Sequence, residues 1–186
     1  MTTYDFVQLV FLALGGEIKG KTKLQKTVYF VGLASGYQGR LGYRPHFYGP
    51  YSDEVAAAIE RLKALGFLDQ TVSGGGAVDS RGFEVARHDY RLSEAGKIVA
   101  EHKSVSSCEE WGKIQRAVGV VRKLLDQDYM KLSIAAKIWF LLGEKQGNAK
   151  LDDLALLAPK FGWSVNGDQI KDAARLLNEA NLVQFS

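Results

Sequence analysis

Cysteine is almost missing from this sequence. Cys108 stands alone, which excludes an internal disulfide and any zinc site built from several cysteines. Histidine is scarce too, and His46, His88 and His102 are too scattered to suggest a metal centre, so no metal and no cofactor is expected. No apolar run approaches the ~20 residues needed to cross a bilayer. The N-terminus lacks a charged region and cleavage site, so a soluble, cytoplasmic chain without membrane contact is expected. Catalytic patterns are lacking as well. No histidine sits in a local motif with a carboxylate and a nucleophile. The adjacent acids Glu109-Glu110 and Asp152-Asp153 point in different directions from a helix and suit helix N-terminal charges better. A non-enzymatic protein with no catalytic residues is expected. Gly74-Gly75-Gly76 lacks the Lys-Ser/Thr partner or GxGxxG spacing of a phosphate loop and reads as a hairpin tip.

With 186 residues and 46% hydrophobic content, the chain can bury a real core as one domain or two small ones. Net charge is only +3, but its distribution is uneven. Residues 1–50 carry six basic and two acidic groups, 51–103 seven and nine, and 104–186 eleven and ten. The early excess comes from Lys19, Lys21, Lys23, Lys26, Arg40 and Arg44. It can meet a phosphate backbone or an acidic protein face, or simply solvate the start of a helix.

Two stretches 115 positions apart spell nearly the same helix. Val55, Ala58, Ile59 and Leu62 correspond to Ile170, Ala173, Ala174 and Leu177, each set at the i, i+3, i+4, i+7 spacing of one helix face. Gly66 and Asn181 come next as left-handed C-caps, each succeeded by an apolar pair, Phe67-Leu68 and Leu182-Val183. Such a passage matches the third helix of a winged helix-turn-helix running into its hairpin. The reading is mainly α with small β-hairpins (α+β): tandem winged helix-turn-helix units joined by a long helix. Residues 1–103 form the N-terminal unit, 104–130 the connecting helix and 131–186 the C-terminal unit.

Along the first unit, Phe6 to Leu14 form a helix closed by Gly15-Gly16. Thr22 and Gln25 predict a capping box opening a second helix, with Leu24, Val28 and Val31 inward and Lys23 and Lys26 on its exposed side. Residues 35–50 lack helical periodicity and read as a connection. Tyr48-Gly49-Pro50-Tyr51 ends it in a turn, and Ser52 caps the third helix. Thr71 to Arg91 is the hairpin, flanked by Arg81 and Arg87 as candidate wing contacts. Ser93 then caps a helix containing Gly96. Ser107 and Glu110 predict another capping box, and Trp111, Ile114, Val118, Val121 and Leu125 repeat as a heptad seam. The seam reads as an intramolecular spine, with a homodimer through it as the alternative. In the second unit, twelve fewer residues separate the corresponding helices, the difference being the connection that ends at Tyr48-Gly49-Pro50.

Lys23-Leu24-Gln25-Lys26-Thr27-Val28-Tyr29-Phe30, followed by His46-Phe47-Tyr48-Gly49-Pro50-Tyr51-Ser52, resembles the paired signature of the YwgA-type family over most of the chain. Residues 20–60 are more distantly similar to the Panacea domain of SocA-like antitoxins, although Tyr51 stands where that domain usually has a small aliphatic residue. The resemblance implies a non-enzymatic winged-helix protein, regulatory or adaptor-like.

From the residues themselves, Tyr29 and Phe30 read as core rather than stacking platforms. Tyr48 and Tyr51 either pin their turn to the second helix or, with Gly49 and Pro50, form a partner-binding patch. Double-stranded DNA is the first expected partner, contacted mainly at its backbone by Lys19, Lys21, Lys23, Lys26, Arg40, Arg44, Arg81 and Arg87. Against it, the third helix presents Asp53 and Glu54 where a recognition helix meets bases. The alternative is an adaptor or antitoxin-like module docking a protein through the Tyr-Gly-Pro-Tyr turn and the third helix.

Overall fold

The computed structural model describes residues 1–74, 86–144 and 151–183, apart from the Asp152 side chain. Among these are eight α-helices and one three-stranded antiparallel sheet, a mainly α, α+β architecture. Helix α1 (Thr3–Ala13) is followed by strand β1 (Glu17–Lys19), α2 (Lys21–Ala34) and a short 3-10 turn at Gln38–Arg40. Next come α3 (Asp53–Ala64), β2 (Leu68–Ser73), β3 (Arg87–Leu92), α4 (Glu94–Ser106) and α5 (Cys108–Leu125). The chain continues through α6 (Tyr129–Glu144), α7 (Leu151–Leu157) and α8 (Gly167–Glu179).

Strand order is β1-β3-β2. Ile18 lies opposite Tyr90 and Leu68 opposite Leu92, so the apolar residues of three short strands share the face that meets the helices. β1 carries no alternation long enough to reveal itself in the sequence; its place is set by pairing, including a Glu17–Arg91 ion pair across the sheet at 3.3 Å. Residues 75–85, which include Gly75, Gly76, Arg81, Phe83 and Val85 of the expected hairpin, lie outside the described residues.

Several sequence-level caps form as expected. The Ser52 hydroxyl accepts from the Val55 N–H at 2.9 Å and Ser93 from Gly96 at 3.0 Å, opening α3 and α4. Two expected caps do not. α2 starts one residue earlier than Thr22, after Gly20 (φ 92°), with no side-chain cap, because Gln25 turns away from its own helix toward residue 52. Ser107 (φ −124°, ψ 49°) precedes α5 without a side-chain hydrogen bond to it; it is also the last residue of α4's ladder, its N–H donating to Lys103 O at 2.9 Å.

The repeat is real at its helix exits. Gly66 and Asn181 both adopt left-handed backbone (φ 69° and 51°). Phe67 N–H donates to Leu62 O at 2.9 Å and Leu182 N–H to Leu177 O at 3.0 Å, the same closing bond in both places. Beyond the exits the two chain paths diverge. Phe67 leads into β2, whereas Leu182 and Val183 pack, partly buried, on the core without forming a strand. Among the described residues the second trihelical group, α6 to α8, has no β-ribbon, so the expected matching hairpin is not seen there.

One buried cluster runs through both halves. α2 lies at its centre, against α5, α6 and α3, and every residue from Leu24 to Gly32 is buried. On α5, Ile114, Val118, Val121 and Leu125 are 1, 6, 0 and 5% exposed. The heptad seam from Ile114 to Leu125 is therefore an internal spine covered by α1, α2, α4 and α8, with Trp111 partly buried at its start. No helix is long and apolar enough to cross a membrane among the described residues.

Candidate functional site

The opening of α2 and the segment 43–52 form one hydrogen-bonded unit. Gln25 grips Ser52 at both backbone groups: its Nε2 donates to the carbonyl at 3.0 Å and its Oε1 accepts from the N–H at 3.1 Å. Lys26 Nζ donates to Pro50 O at 2.6 Å, and Tyr43 OH to Gln25 O at 2.7 Å. The Ser52 hydroxyl donates to Leu41 O while capping α3. Arg44 and Tyr51 exchange two backbone hydrogen bonds of 2.9 Å across the neck of the loop. From the C-terminal half, Trp163 Nε1 donates to His46 O at 2.7 Å. Loop carbonyls that face inward are thus answered by side chains from two distant parts of the chain.

Gly49 shows how closely the turn is seated. Its φ of 92° suits glycine, and a Cβ there would lie 3.1 Å from Lys137 Cγ, 3.2 Å from Ser133 O and 3.4 Å from Lys26 Cε. Gly49 and Pro50 are buried, yet Phe47 and Tyr48 point outward at 57 and 41% exposure. Their rings meet edge to face, 5.0 Å apart. The two readings of the turn are therefore divided between its residues. Tyr51 is half-buried and pins the neck, while Tyr48 is offered to solvent.

Electrostatics at the clamp are unusual. Lys26 is only 1% exposed, and its amine is lowered from 10.5 to about 7, chiefly by burial and then by the positive charge of Lys137. Lys137 is itself lowered by burial. No carboxylate forms an ion pair with either among the described residues. Burial also raises the phenols of Tyr29 and Tyr43. Tyr29 and Phe30 are core residues at 0% exposure, as their sequence context suggested.

The basic residues proposed from sequence meet varied fates. Lys26, expected on the exposed side of α2, is buried because the 43–51 segment and α6 cover that face. Lys23 is half-buried, its Nζ donating to Gln127 O at 3.1 Å. Lys19 lies 4.0 Å from Glu17, Arg44 pairs with Asp53, and Arg87 pairs with Asp89 at 2.9 Å. Arg40 sits 5.5 Å above the Tyr37 ring. Lys21 is exposed at the start of α2; Arg81 lies outside the described residues. Lys21, Lys26 and Arg44 share one cleft of about 490 Å³ with Tyr48 and Tyr51. Sequence reasoning missed Gln25, Lys137 and Trp163 as parts of this unit, since each acts on residues far away in the chain.

No family model matches this chain. It is similar to the uncharacterised protein YwgA of Bacillus subtilis (strain 168), 33% identical over 99 residues. The match takes in 53% of this chain and spans about half, 55%, of that relative. The YwgA-like resemblance rests on that stretch.

Proposed function

We propose that the chain is a non-enzymatic, winged-helix-type interaction module that docks a partner protein through the 46–51 loop and the acidic outer face of α3. The observation that carries this reading is the clamped aromatic pair. Phe47 and Tyr48 are exposed on a loop whose flanks are held by Gln25, Lys26 and Trp163. An ordered loop gives up little conformational freedom on binding, and aromatic side chains are enriched at the centres of protein interfaces. Beside the loop, α3 exposes Glu54 together with Asp53 and Glu60, which are paired with Arg44 and Lys63. Glu54 is the carboxylate of this face without an ion pair among the described residues and the one best placed to meet a basic partner.

Support for the winged-helix part comes from the order α1-β1-α2-α3-β2-β3 with strands arranged β1-β3-β2. The common exits of α3 and α8 support a related second unit in residues 131–186, joined through residues 104–130. A second reading, a regulator contacting DNA through its backbone, is favoured by the same topology and by exposed Lys21. It is weakened by the intramolecular engagement of Lys23, Lys26 and Arg44 and by the carboxylates that open α3. Cytoplasmic residence suits either.

The test compares the full chain with its Phe47→Ser/Tyr48→Ser variant in affinity purification from the source cells, with circular dichroism as the check on folding. The reading expects one stoichiometric protein with the wild type and none with the variant. Duplex binding that falls steeply with salt and survives the double substitution would favour DNA instead.

A further inference from the structure

We propose that the cleft between the start of α2 and the 43–51 loop is a binding site for a phosphate-class anion, held by Lys21, Lys26 and Arg44. The cleft shares Tyr48 with the proposed docking loop, but its donors, Lys21, Lys26 and Arg44, are separate from that loop's docking residues, and a titration with anions reads them without a protein partner. Three features of the cleft point the same way.

Charge is unbalanced. The acid on the cleft wall, Asp53, is already paired with Arg44. Lys21, and Lys26 when protonated, contribute two further cations, and Lys137 on α6 adds its field from the far side of Gly49. His46, Tyr48 and Tyr51 complete the titratable groups from the loop. An ammonium buried without a counter-charge is costly, and an anion in the cleft would remove that cost.

Donors are in surplus. A lysine ammonium has three N–H groups, and the hydrogen bond given by Lys26 goes to Pro50 O. Lys21 and Thr22 lie in the first turn of a 14-residue helix that has neither a side-chain cap nor an acid there. Both residues line the cleft, so the positive end of the helix dipole lies beside it.

The cleft also has room. At about 490 Å³ it falls within the range that accepts small organic ligands, larger than a bare phosphate needs. Tyr48 on its wall offers a ring for an organic portion.

The full-length protein is titrated calorimetrically in HEPES with sulfate, inorganic phosphate, adenosine monophosphate and adenosine. Sulfate keeps a fixed charge between pH 6.5 and 9, so any change in its affinity reports on the protein. The site predicts sulfate binding at pH 6.5, at least about tenfold weaker at pH 9 as Lys26 loses its proton, and the same trend in His46→Gln. Lys21→Gln is expected to weaken every anion by about fivefold or more. Lys26→Met should abolish the pH trend; if that variant does not fold, Lys21→Gln and Arg44→Gln at the rim decide the matter. Tighter binding of the nucleotide than of phosphate identifies an organic monoester as the ligand class, and equal binding identifies the free anion. Absence of binding by all anions at millimolar concentration, indifference to Lys21→Gln, or adenosine binding as well as its monophosphate would each overturn the proposal.

Discussion

Lys26→Met isolates the most unusual group in this fold. Methionine keeps an unbranched apolar stem while removing the charge and the hydrogen bond to Pro50 O. Burial lowers the folded amine from 10.5 to about 7. Below pH 7 the folded protein therefore carries the whole cost of a buried ammonium, roughly 5 kcal/mol at about 1.4 kcal/mol per pH unit. Between about 7 and 10.5 the unfolded chain holds a proton that the folded chain lacks, so raising the pH favours the fold and the cost fades. Against this, the variant leaves a buried carbonyl without its donor, a loss of about 1–3 kcal/mol. Urea unfolding of both proteins, free of phosphate and sulfate, compares them at matched pH, and titrations common to both cancel in the difference. At pH 6 the variant is expected to be at least as stable as the wild type. From pH 7 to 9 the difference should move by roughly 2–3 kcal/mol in favour of the wild type. A difference that stays flat with pH, or moves the other way, refutes the assignment of a buried, discharged lysine.

Gly96→Ala should be severely destabilising, by more than about 3 kcal/mol. The added methyl would overlap the carbonyl oxygen of Phe67, with its Cα only 2.9 Å away, and backbone cannot rotate aside as a side chain can; denaturant melts check this. Trp163→Phe keeps an aromatic against Phe140 and Phe161 but removes the donor to His46 O, so a loss of about 1–2 kcal/mol and faster amide exchange in residues 44–50 are expected. Asn181→Gly should stabilise by a few tenths to about 1 kcal/mol, since Asn181 holds φ 51° without being glycine; Asn181→Ala should destabilise instead, and thermal melts of both variants provide the comparison.

The features legible in the sequence are those that depend on neighbours close in the chain. The exits at Gly66 and Asn181, the Ser52 and Ser93 caps and the inward stripe of α5 each involve residues within one or two turns of one another, so spacing and residue type suffice. Lys26 illustrates the opposite case. The apolar stripe through Leu24 and Val28 leaves position 26 pointing away from that face, and only the 43–51 connection and α6, wrapped over it, turn the exposed side into an interior. Gln25 misled for the same reason: its spacing from Thr22 suits a capping box, but two backbone partners at Ser52 compete successfully for its amide. β1 escaped notice because three residues show no period. The pairing of the Lys-Leu-Gln-Lys helix with the Tyr-Gly-Pro turn is visible in the sequence as a pattern, and its physical meaning comes from the contacts: the helix holds the turn.

Amide hydrogen exchange across residues 43–52 tests the ordered loop most directly. The account predicts slow exchange at Arg44, Tyr51 and Ser52, whose N–H groups are bonded within the clamp, with selective loss of protection at Ser52 in Gln25→Ala. Uniformly rapid exchange through this segment in the wild type would contradict it, because a loop free to move cannot present Phe47 and Tyr48 as a prepared surface.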